Sequence, residues 1–190
     1  WALPLWQQHF PENMKGVSAE ALWQAVNLVE PSLIRVEADE ATYNLHVMIR
    51  YEIEKRLIAG DLEVDDLPDA WDDMYEEFLG VRPPNRALGV LQDIHWSMGA
   101  FGYFPTYTLG NLYAAQLLAT ARNDLPHHDE QIRRGEFAPL LAWMREHVHQ
   151  RGSILEPAAL IEEATGSPPS PDAFVDYLRD KVELLYGVSA

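Results

Sequence analysis

Residues 39–59 read DEATYNLHVMIRYEIEKRLIA, and their apolar positions recur at the spacing of one face of a helix. The positions on that face are Leu45, Met48, Ile49, Ile53 and Leu57. Their i, i+3, i+4 pattern is typical of an amphipathic helix that packs against a core. Gly60 follows, and glycine is the residue type at which helices most often end. The stretch therefore predicts a long helix, the longest of the chain.

Helical spacing also dominates the rest of the chain, whereas alternating strand-like runs are nearly absent. Further helices are predicted over residues 137–152, 156–164 and 170–187. Ser170 can cap the last of these helices, and Pro171 suits its first turn. The sequence thus predicts an all-α, multi-helix fold in which residues 1–190 form one region without a separate domain.

Composition and charge narrow the possible functions. Of the 190 residues 47% are hydrophobic, which is enough for one globular core. A net charge of −16 repels nucleic-acid phosphates and anionic membrane surfaces. Cysteine is absent, which excludes disulfides and cysteine nucleophiles and fits a cytoplasmic location. No apolar run reaches the length of a membrane-spanning helix, so neither nucleic acid nor a membrane is an expected partner.

Residues 61–77 hold a dense cluster of acidic side chains interleaved with Leu67 and Trp71. The acidic residues are Asp61, Glu63, Asp65, Asp66, Asp69, Asp72, Asp73, Glu76 and Glu77. Like charges at such density favour exposure to water, so a solvated helix face is the first interpretation. A cation site or a docking patch is the alternative.

The seven histidines form no recognisable metal motif. The sequence contains no His-Glu-x-x-His, no phosphate-binding Gly-x-x-x-x-Gly-Lys and no Gly-x-Ser-x-Gly. Histidine pairs do occur within residues 127–130 and 146–149, but they are one or two positions apart. Such pairs do not share a helix face, unlike histidines four apart. We therefore assign no metal ligand to this chain.

Two other segments are chemically less ordinary. In the first, Arg35 and Asp39 lie four positions apart near the expected start of the long helix. At that spacing Asp39 can hold the Arg35 guanidinium by hydrogen bonds, while the remaining N–H donors of Arg35 face a ligand carboxylate. A plain surface ion pair is the alternative. The second segment surrounds His95 with glutamine, aspartate and aromatic residues. There Tyr103 or Tyr107 could donate to a developing oxyanion, and a satisfied core histidine is the alternative.

The two segments together resemble the characteristic motifs of the M32 metallocarboxypeptidases, the carboxypeptidase Taq family. The motif Ile/Val-Arg-x-x-Ala-Asp is matched by Ile34, Arg35, Ala38 and Asp39. The motif Gly-x-x-Gln-Asp-x-His-Trp is matched by Gly89, Gln92, Asp93, His95 and Trp96. Residues 102–111, GYFPTYTLGN, also look like this family. Every defining position of both motifs is filled.

The resemblance implies the C-terminal part of a zincin-like helical metallopeptidase with a deep substrate groove. It covers the whole chain but only about the last two-fifths of a typical member. The family's His-Glu-x-x-His segment, which carries zinc ligands, would precede residue 1. The chain also starts at Trp1 rather than at a methionine, so we expect a truncated chain.

Carried over to this sequence, the resemblance implies a role for each motif residue. Arg35 would hold the free C-terminal carboxylate of a peptide substrate, with Asp39 as its orienting partner. His95 would stabilise the bound peptide or the tetrahedral intermediate. Gln92 and Asp93 would orient His95 or the substrate.

Tyr107 lies twelve positions after His95, a spacing like that of the histidine and tyrosine in related helical zinc peptidases. The resemblance therefore makes Tyr107 a candidate oxyanion donor, with Tyr103 as the competing residue. Gly99 and Gly102 would supply the flexibility that lets the tyrosine approach the reacting centre.

The resemblance also implies the wider setting. The cofactor would be Zn²⁺, held in the full-length parent by ligands absent from this chain, and the partner would be the C-terminus of a peptide substrate. The resemblance further implies a homodimer. The isolated chain is expected to be inactive, and a non-enzymatic helical interaction or dimerisation module is the alternative function.

Overall fold

The computed structural model describes residues 1–188, and these residues contain helices and turns but no strand. The helices are α1 (Ala2–His9), α2 (Ala19–Val26), α3 (Tyr43–Ala59), α4 (Leu67–Leu79), α5 (Pro105–Asp124), α6 (His128–Arg134), α7 (Ala138–His147), α8 (Pro157–Thr165) and α9 (Asp172–Tyr186). Short 3₁₀ turns lie at Arg35–Glu37, Val64–Asp66, Trp96–Met98 and His149–Arg151. The all-α prediction is confirmed.

The chain divides into two compact units. One comprises residues 27–110, and the other comprises residues 1–26 together with residues 111–188. Every candidate site residue named from the sequence lies in the first of these units. Among residues 1–188, no helix is both long enough and apolar enough to cross a membrane.

The core of the unit formed by residues 27–110 lies between α3 and α4. Its buried members are Ile49, Ile53, Leu62, Trp71, Tyr75 and Leu79. Of the predicted apolar face of α3, Ile49 and Ile53 are fully buried, whereas Met48 is exposed. The buried face of α3 therefore differs from the predicted apolar face, because it also includes polar residues of the candidate site.

The long helix starts later than predicted, at Tyr43 instead of residue 39. The Asp39 carboxylate accepts hydrogen bonds from the backbone N–H groups of Ala41 and Thr42, which holds residues 39–42 in a turn. The helix ends as predicted, with Gly60 in the left-handed region at φ 78°. That conformation costs glycine little and other residues much more, which explains the residue type there.

The longest helix is α5, with 20 residues against 17 in α3, so the sequence prediction was wrong on this point. Helix α5 begins at Pro105, within residues 102–111, the stretch that resembles the family. It carries Gly110 and many small or polar residues and lacks a clear apolar stripe. Periodicity therefore could not find it.

The helices predicted nearer the C-terminus are present with small changes of boundary. The segment predicted over residues 137–152 is a shorter helix, α7, followed by a separate 3₁₀ turn. Helices α8 and α9 match their predictions, and both end at a glycine with positive φ. The hydroxyl of Ser170 accepts a hydrogen bond from the backbone N–H of Asp172, as predicted for the start of α9.

Helix α4 carries most of the acidic cluster. Trp71 and Tyr75 are buried on one side of the helix, while most of the acidic side chains are exposed. This arrangement agrees with a solvated helix face. Asp72 is partly buried, and burial raises the pKa of its carboxyl group.

Candidate functional site

The candidate site is built around the carboxylate of Asp93, which is shared by two arginines. Asp93 Oδ1 accepts a hydrogen bond of 2.7 Å from Arg35 Nη2. Asp93 Oδ2 accepts a hydrogen bond of 2.7 Å from Arg50 Nε and a longer one of 3.4 Å from Arg35 Nε. The Asp93 side chain is 11% exposed, so the two ion pairs are largely shielded from water.

Gln92 links the same two arginines through its side-chain oxygen. Gln92 Oε1 accepts one hydrogen bond from the backbone N–H of Arg35 and another from Arg50 Nη2, both at 2.9 Å. Its amide nitrogen donates to the carbonyl oxygens of Leu33 and Leu88. Consecutive residues of one motif therefore hold both the backbone and the side chain of Arg35.

Aromatic rings surround the Arg35 guanidinium. Its Nη1 donates to the hydroxyl of Tyr43 at 2.9 Å. The guanidinium carbon lies 4.9 Å from the centre of the Tyr107 ring and 5.6 Å from that of Phe104. These distances allow cation–π attraction, which strengthens when the cation is removed from water. Arg35 is 5% exposed.

His95 and Tyr107 lie together, although twelve positions separate them in the sequence. His95 Nε2 and the Tyr107 hydroxyl share a hydrogen bond of 3.0 Å. His95 Nδ1 is buried without a hydrogen-bond partner and lies 3.8 Å from Asp93 Oδ1. Tyr103 also contacts the histidine ring, with 5.7 Å between the ring centres, but it is 49% exposed. The arrangement groups His95, Tyr107 and the Asp93 cluster in one place.

The predicted pair between Arg35 and Asp39 is wrong. Arg35 forms its ion pair with Asp93. Asp39 instead accepts hydrogen bonds from the N–H groups that precede α3, from the Thr42 hydroxyl and from the backbone N–H of Glu30. The reason is that Asp39 lies in a turn before α3, so the i, i+4 helical spacing does not apply to it.

The sequence interpretation missed a buried polar stripe along α3. His46, Arg50 and Glu54 are each four residues apart and are at most 4% exposed. Arg50 Nη1 donates to the carbonyl oxygen of His46 at 2.8 Å. Glu54 accepts hydrogen bonds from the Trp96 indole at 2.7 Å and from the backbone N–H of Gly102 at 3.1 Å. Their i, i+4, i+8 repeat places them on one helix face, but charged residues on a helix are ordinarily exposed, so the spacing gave no sign of burial.

The electrostatics favour ionised groups at the centre of the cluster. Burial opposes ionisation of Asp93, but hydrogen bonds from Arg35 and the charge of Arg50 outweigh it and lower the pKa of this carboxyl group. Burial likewise opposes the charge of Arg35, yet the hydrogen bond and charge of Asp93 raise its pKa. Both groups are therefore charged at neutral pH.

His46, unlike Asp93 and Arg35, is uncharged at neutral pH. Burial first, and then the positive charges of Arg50 and Arg35, lower its pKa from 6.5 to about 4. Its Nδ1 shares a hydrogen bond of 3.0 Å with the Tyr75 hydroxyl, whereas its Nε2 is buried without a hydrogen-bond partner. The residue is therefore a neutral imidazole at pH 7.

Within residues 1–188, no three histidine, aspartate or glutamate side chains are grouped so that they could hold a metal ion. The histidines at 127–128 and 147–149 belong to the other unit. There His128 Nδ1 contacts Asp129 at 2.9 Å, and the ring of His147 stacks on Trp143. The side chains that the structure describes do not fit a metal centre by themselves.

Comparison with known proteins places this chain in a family. The sequence model of the carboxypeptidase Taq (M32) metallopeptidases matches residues 1–182. Thermostable carboxypeptidase 1 of Thermus thermophilus is 48% identical over 98% of this chain, and carboxypeptidase 1 of Bacillus subtilis is 45% identical over 95%. Among solved structures, the M32 carboxypeptidase from Deinococcus radiodurans R1 superposes with a TM-score of 0.94 at 44% identity and covers 98% of this chain.

The helical fold of this chain is thus shared with metallocarboxypeptidases of known structure. The chain belongs to the M32 metallopeptidase family, as the resemblance implied. It spans only 36–38% of the length of these relatives.

Proposed function

We propose that this chain forms the substrate-carboxylate and oxyanion side of a zinc-dependent carboxypeptidase, which hydrolyses the C-terminal peptide bond of peptides. The observation that carries the proposal is the state of Arg35, a nearly buried cation held in a fixed orientation by Asp93 and Tyr43. A carboxypeptidase must recognise a free C-terminal carboxylate, and an oriented guanidinium suits that ligand.

The hydrogen bonds of Arg35 leave suitable donors for such a ligand. A guanidinium has five N–H groups. Asp93 takes the Nε group and one group of Nη2, and Tyr43 takes one group of Nη1. One N–H group remains on each terminal nitrogen, which is the pair that a carboxylate binds with two parallel hydrogen bonds. Asp93, rather than Asp39, is thus the orienting partner in this proposal.

His95 and Tyr107 are proposed to bind the oxygen that becomes negative during hydrolysis. Their hydrogen bond preorients the Tyr107 hydroxyl, and Asp93 Oδ1 lies 3.8 Å from His95 Nδ1 on the other side of the imidazole ring. Preorganised donors of this kind stabilise a developing oxyanion because they need no rearrangement at that moment. Gln92 acts indirectly, through its hydrogen bonds to both arginines.

The metal of this family is proposed to be Zn²⁺, with ligands outside the residues described above. A cytoplasmic location fits the absence of cysteine. On this proposal, residues 1–190 alone release no amino acid from a peptide, even with added Zn²⁺. Zinc-dependent release of a C-terminal residue by the purified chain would contradict it.

The proposal is tested on protein expressed from the complete reading frame, with an N-blocked dipeptide as substrate. Replacement Arg35→Met should raise KM by roughly 100-fold, since a buried charge-assisted contact is lost. Arg56→Met is the matched control, because Arg56 is an exposed arginine of the same unit. An unchanged KM in Arg35→Met would rule out the assigned carboxylate contact.

A further inference from the structure

Arg50 is fully buried on α3 and belongs to neither of the motifs that identified the site. Besides its bond to Asp93, it donates to Gln92 Oε1 and to the carbonyl oxygen of His46. Its guanidinium carbon lies 4.5 Å from the centre of the Trp71 ring. Arg50 therefore has no exposed surface through which it could touch a peptide, and it can act only through its neighbours.

A second arginine on Asp93 is difficult to explain by stability alone. Moving a charge out of water is costly, and a buried ion pair often stabilises a fold no better than apolar residues of similar size. Asp93 already has Arg35 as a partner, so one arginine would be enough to neutralise it. The extra buried cation calls for another explanation.

The charge of the cluster supplies that explanation. Arg35 and Asp93 alone would form a neutral pair, and a substrate carboxylate would then approach Arg35 beside the negative charge of Asp93. With Arg50 bound to the same carboxylate, two cations and one anion leave one net positive charge. A local positive charge is important for binding a carboxylate here, because the chain as a whole has a net charge of −16 and repels anions.

Among residues 1–188, the other ionisable groups near this cluster form no ion pair with Arg35 or Arg50. His46, one turn before Arg50, is neutral at pH 7. Glu54, one turn after Arg50, directs its carboxylate to the Trp96 indole and the backbone of Gly102. His95 lies 3.8 Å from Asp93 and would add positive charge if protonated. Asp39 is engaged by the N–H groups before α3.

We infer that Arg50 is a positioning residue that neutralises Asp93, so that the charge of Arg35 is left to bind the substrate's C-terminal carboxylate. The inference rests on the proposed function and adds a residue that determines its specificity for a free carboxylate. It predicts that the preference for a carboxylate follows the net charge of three residues, Arg35, Arg50 and Asp93.

The test measures the dissociation constants of N-acetylphenylalanine and of its amide by isothermal titration calorimetry, on protein from the complete reading frame. The two ligands differ only in the terminal group, an anionic carboxylate in one and a neutral amide of similar shape in the other, so the ratio of their constants reports the carboxylate preference. The variants are Arg50→Met, Arg50→Lys, Asp93→Asn and the double variant Arg50→Met/Asp93→Asn.

Arg50→Met reduces the net charge of the cluster to zero, and we expect the carboxylate preference to fall roughly tenfold or more while binding of the amide changes little. Arg50→Lys keeps the charge and should retain most of the preference. The double variant returns the net charge to one, because Arg35 is then the remaining ion. It should therefore recover part of the preference that the single variant loses.

A purely structural role for Arg50 predicts a different pattern. In that case both ligands would bind more weakly by the same factor, and the double variant would be worse than either single variant. Either result would overturn the inference. Thermal melting of each variant identifies loss of folding, and Arg56→Met on the same helix is the control for removing a positive charge.

Failure of the proposed function gives a separate result. If the wild-type protein does not prefer the carboxylate ligand, or if Arg35→Met leaves the preference intact, then Arg35 is not the carboxylate site and the inference falls with it. If Arg35→Met abolishes the preference and Arg50→Met does not change it, the proposed function stands and only the role of Arg50 is refuted.

Discussion

At the scale of single residues, the two tyrosines near His95 differ in a way that separates their proposed roles. Tyr107 is partly buried, shares a hydrogen bond with His95 Nε2 and lies against the Arg35 guanidinium. Tyr103 is exposed and contacts His95 through its ring. A hydroxyl fixed by a hydrogen bond is better preorganised for an oxyanion, which favours Tyr107.

Tyr107→Phe should reduce kcat by roughly 10²–10³-fold in protein from the complete reading frame, the usual cost of losing one oxyanion donor. KM should change much less, because the contact forms mainly in the transition state. Steady-state kinetics on a blocked dipeptide measures both constants. Tyr103→Phe is the matched control, and a large loss in that variant with none in Tyr107→Phe would transfer the role to Tyr103.

His46 makes the stability of the fold depend on pH. Its pKa in the folded state is about 4, below its ordinary value of 6.5, so between these values the unfolded chain binds a proton more readily than the folded chain. The free energy of unfolding should therefore fall as the pH drops from 6.5 to 4. The shift corresponds to about 3 kcal/mol in total.

Urea denaturation at several pH values measures this effect. Wild type and His46→Gln should differ in the slope of unfolding free energy against pH within that window, with the shallower slope in the variant. His9→Gln, which removes an exposed histidine, should keep the wild-type slope. Equal slopes in wild type and His46→Gln would show that His46 titrates normally in the folded state.

At the scale of helices, Asp39 determines how α3 begins. Its two carboxylate oxygens accept three hydrogen bonds from Ala41 and Thr42 and one from the backbone of Glu30. The backbone N–H groups of Ala41 and Thr42 lie just before the helix, and the carboxylate satisfies these donors in the turn that leads into it. The motif that contains Arg35 therefore also contains the residue that fixes the turn before α3.

Asp39→Ala should lower the free energy of unfolding by about 1–3 kcal/mol, because the donors of the turn before α3 lose hydrogen bonds to a charged acceptor. Urea denaturation provides the measurement, with Asp65→Ala as a control that removes an exposed carboxylate before α4. A loss of carboxylate binding in Asp39→Ala without any loss of stability would instead support the direct role that the resemblance implied.

At the scale of the whole molecule, the helices near the N-terminus expose a large apolar surface. Neither α1 nor α2 contains a buried residue. The exposed fractions are 59% for Trp1, 57% for Phe10 and 65% for Val26. Apolar surface of this extent promotes association, even in a chain with a strong negative charge.

We therefore expect the purified chain to form dimers or larger species. Multi-angle light scattering at several protein concentrations should give a mass above 21.6 kDa that rises with concentration. Trp6→Gln, combined with Phe10→Gln, should shift the distribution towards the monomer, whereas Leu184→Gln on α9 serves as an exposed apolar control. A strict monomer at all concentrations would contradict the expectation.

The sequence alone determined the helical class, the C-terminal end of α3, the bounds of α8 and α9 to within two residues, and the family. These features depend on local patterns, such as apolar spacing, a glycine after the last turn and a serine before the first, or on motifs that are contiguous in the chain. Through the resemblance, the twelve-residue spacing of His95 and Tyr107 made Tyr107 a candidate oxyanion donor, and in the structure its hydroxyl shares a hydrogen bond with His95.

Only the tertiary structure decided which residues meet. Local spacing paired Arg35 with Asp39, but Arg35 binds Asp93, which is 58 positions away, and Arg50 binds the same carboxylate from α3. A charged residue on a helix is ordinarily on its solvent face, so the sequence offered no reason to bury Arg50 until its partners were known. Burial of a charge depends on partners distant in sequence, and their positions are fixed by the packing of the whole unit.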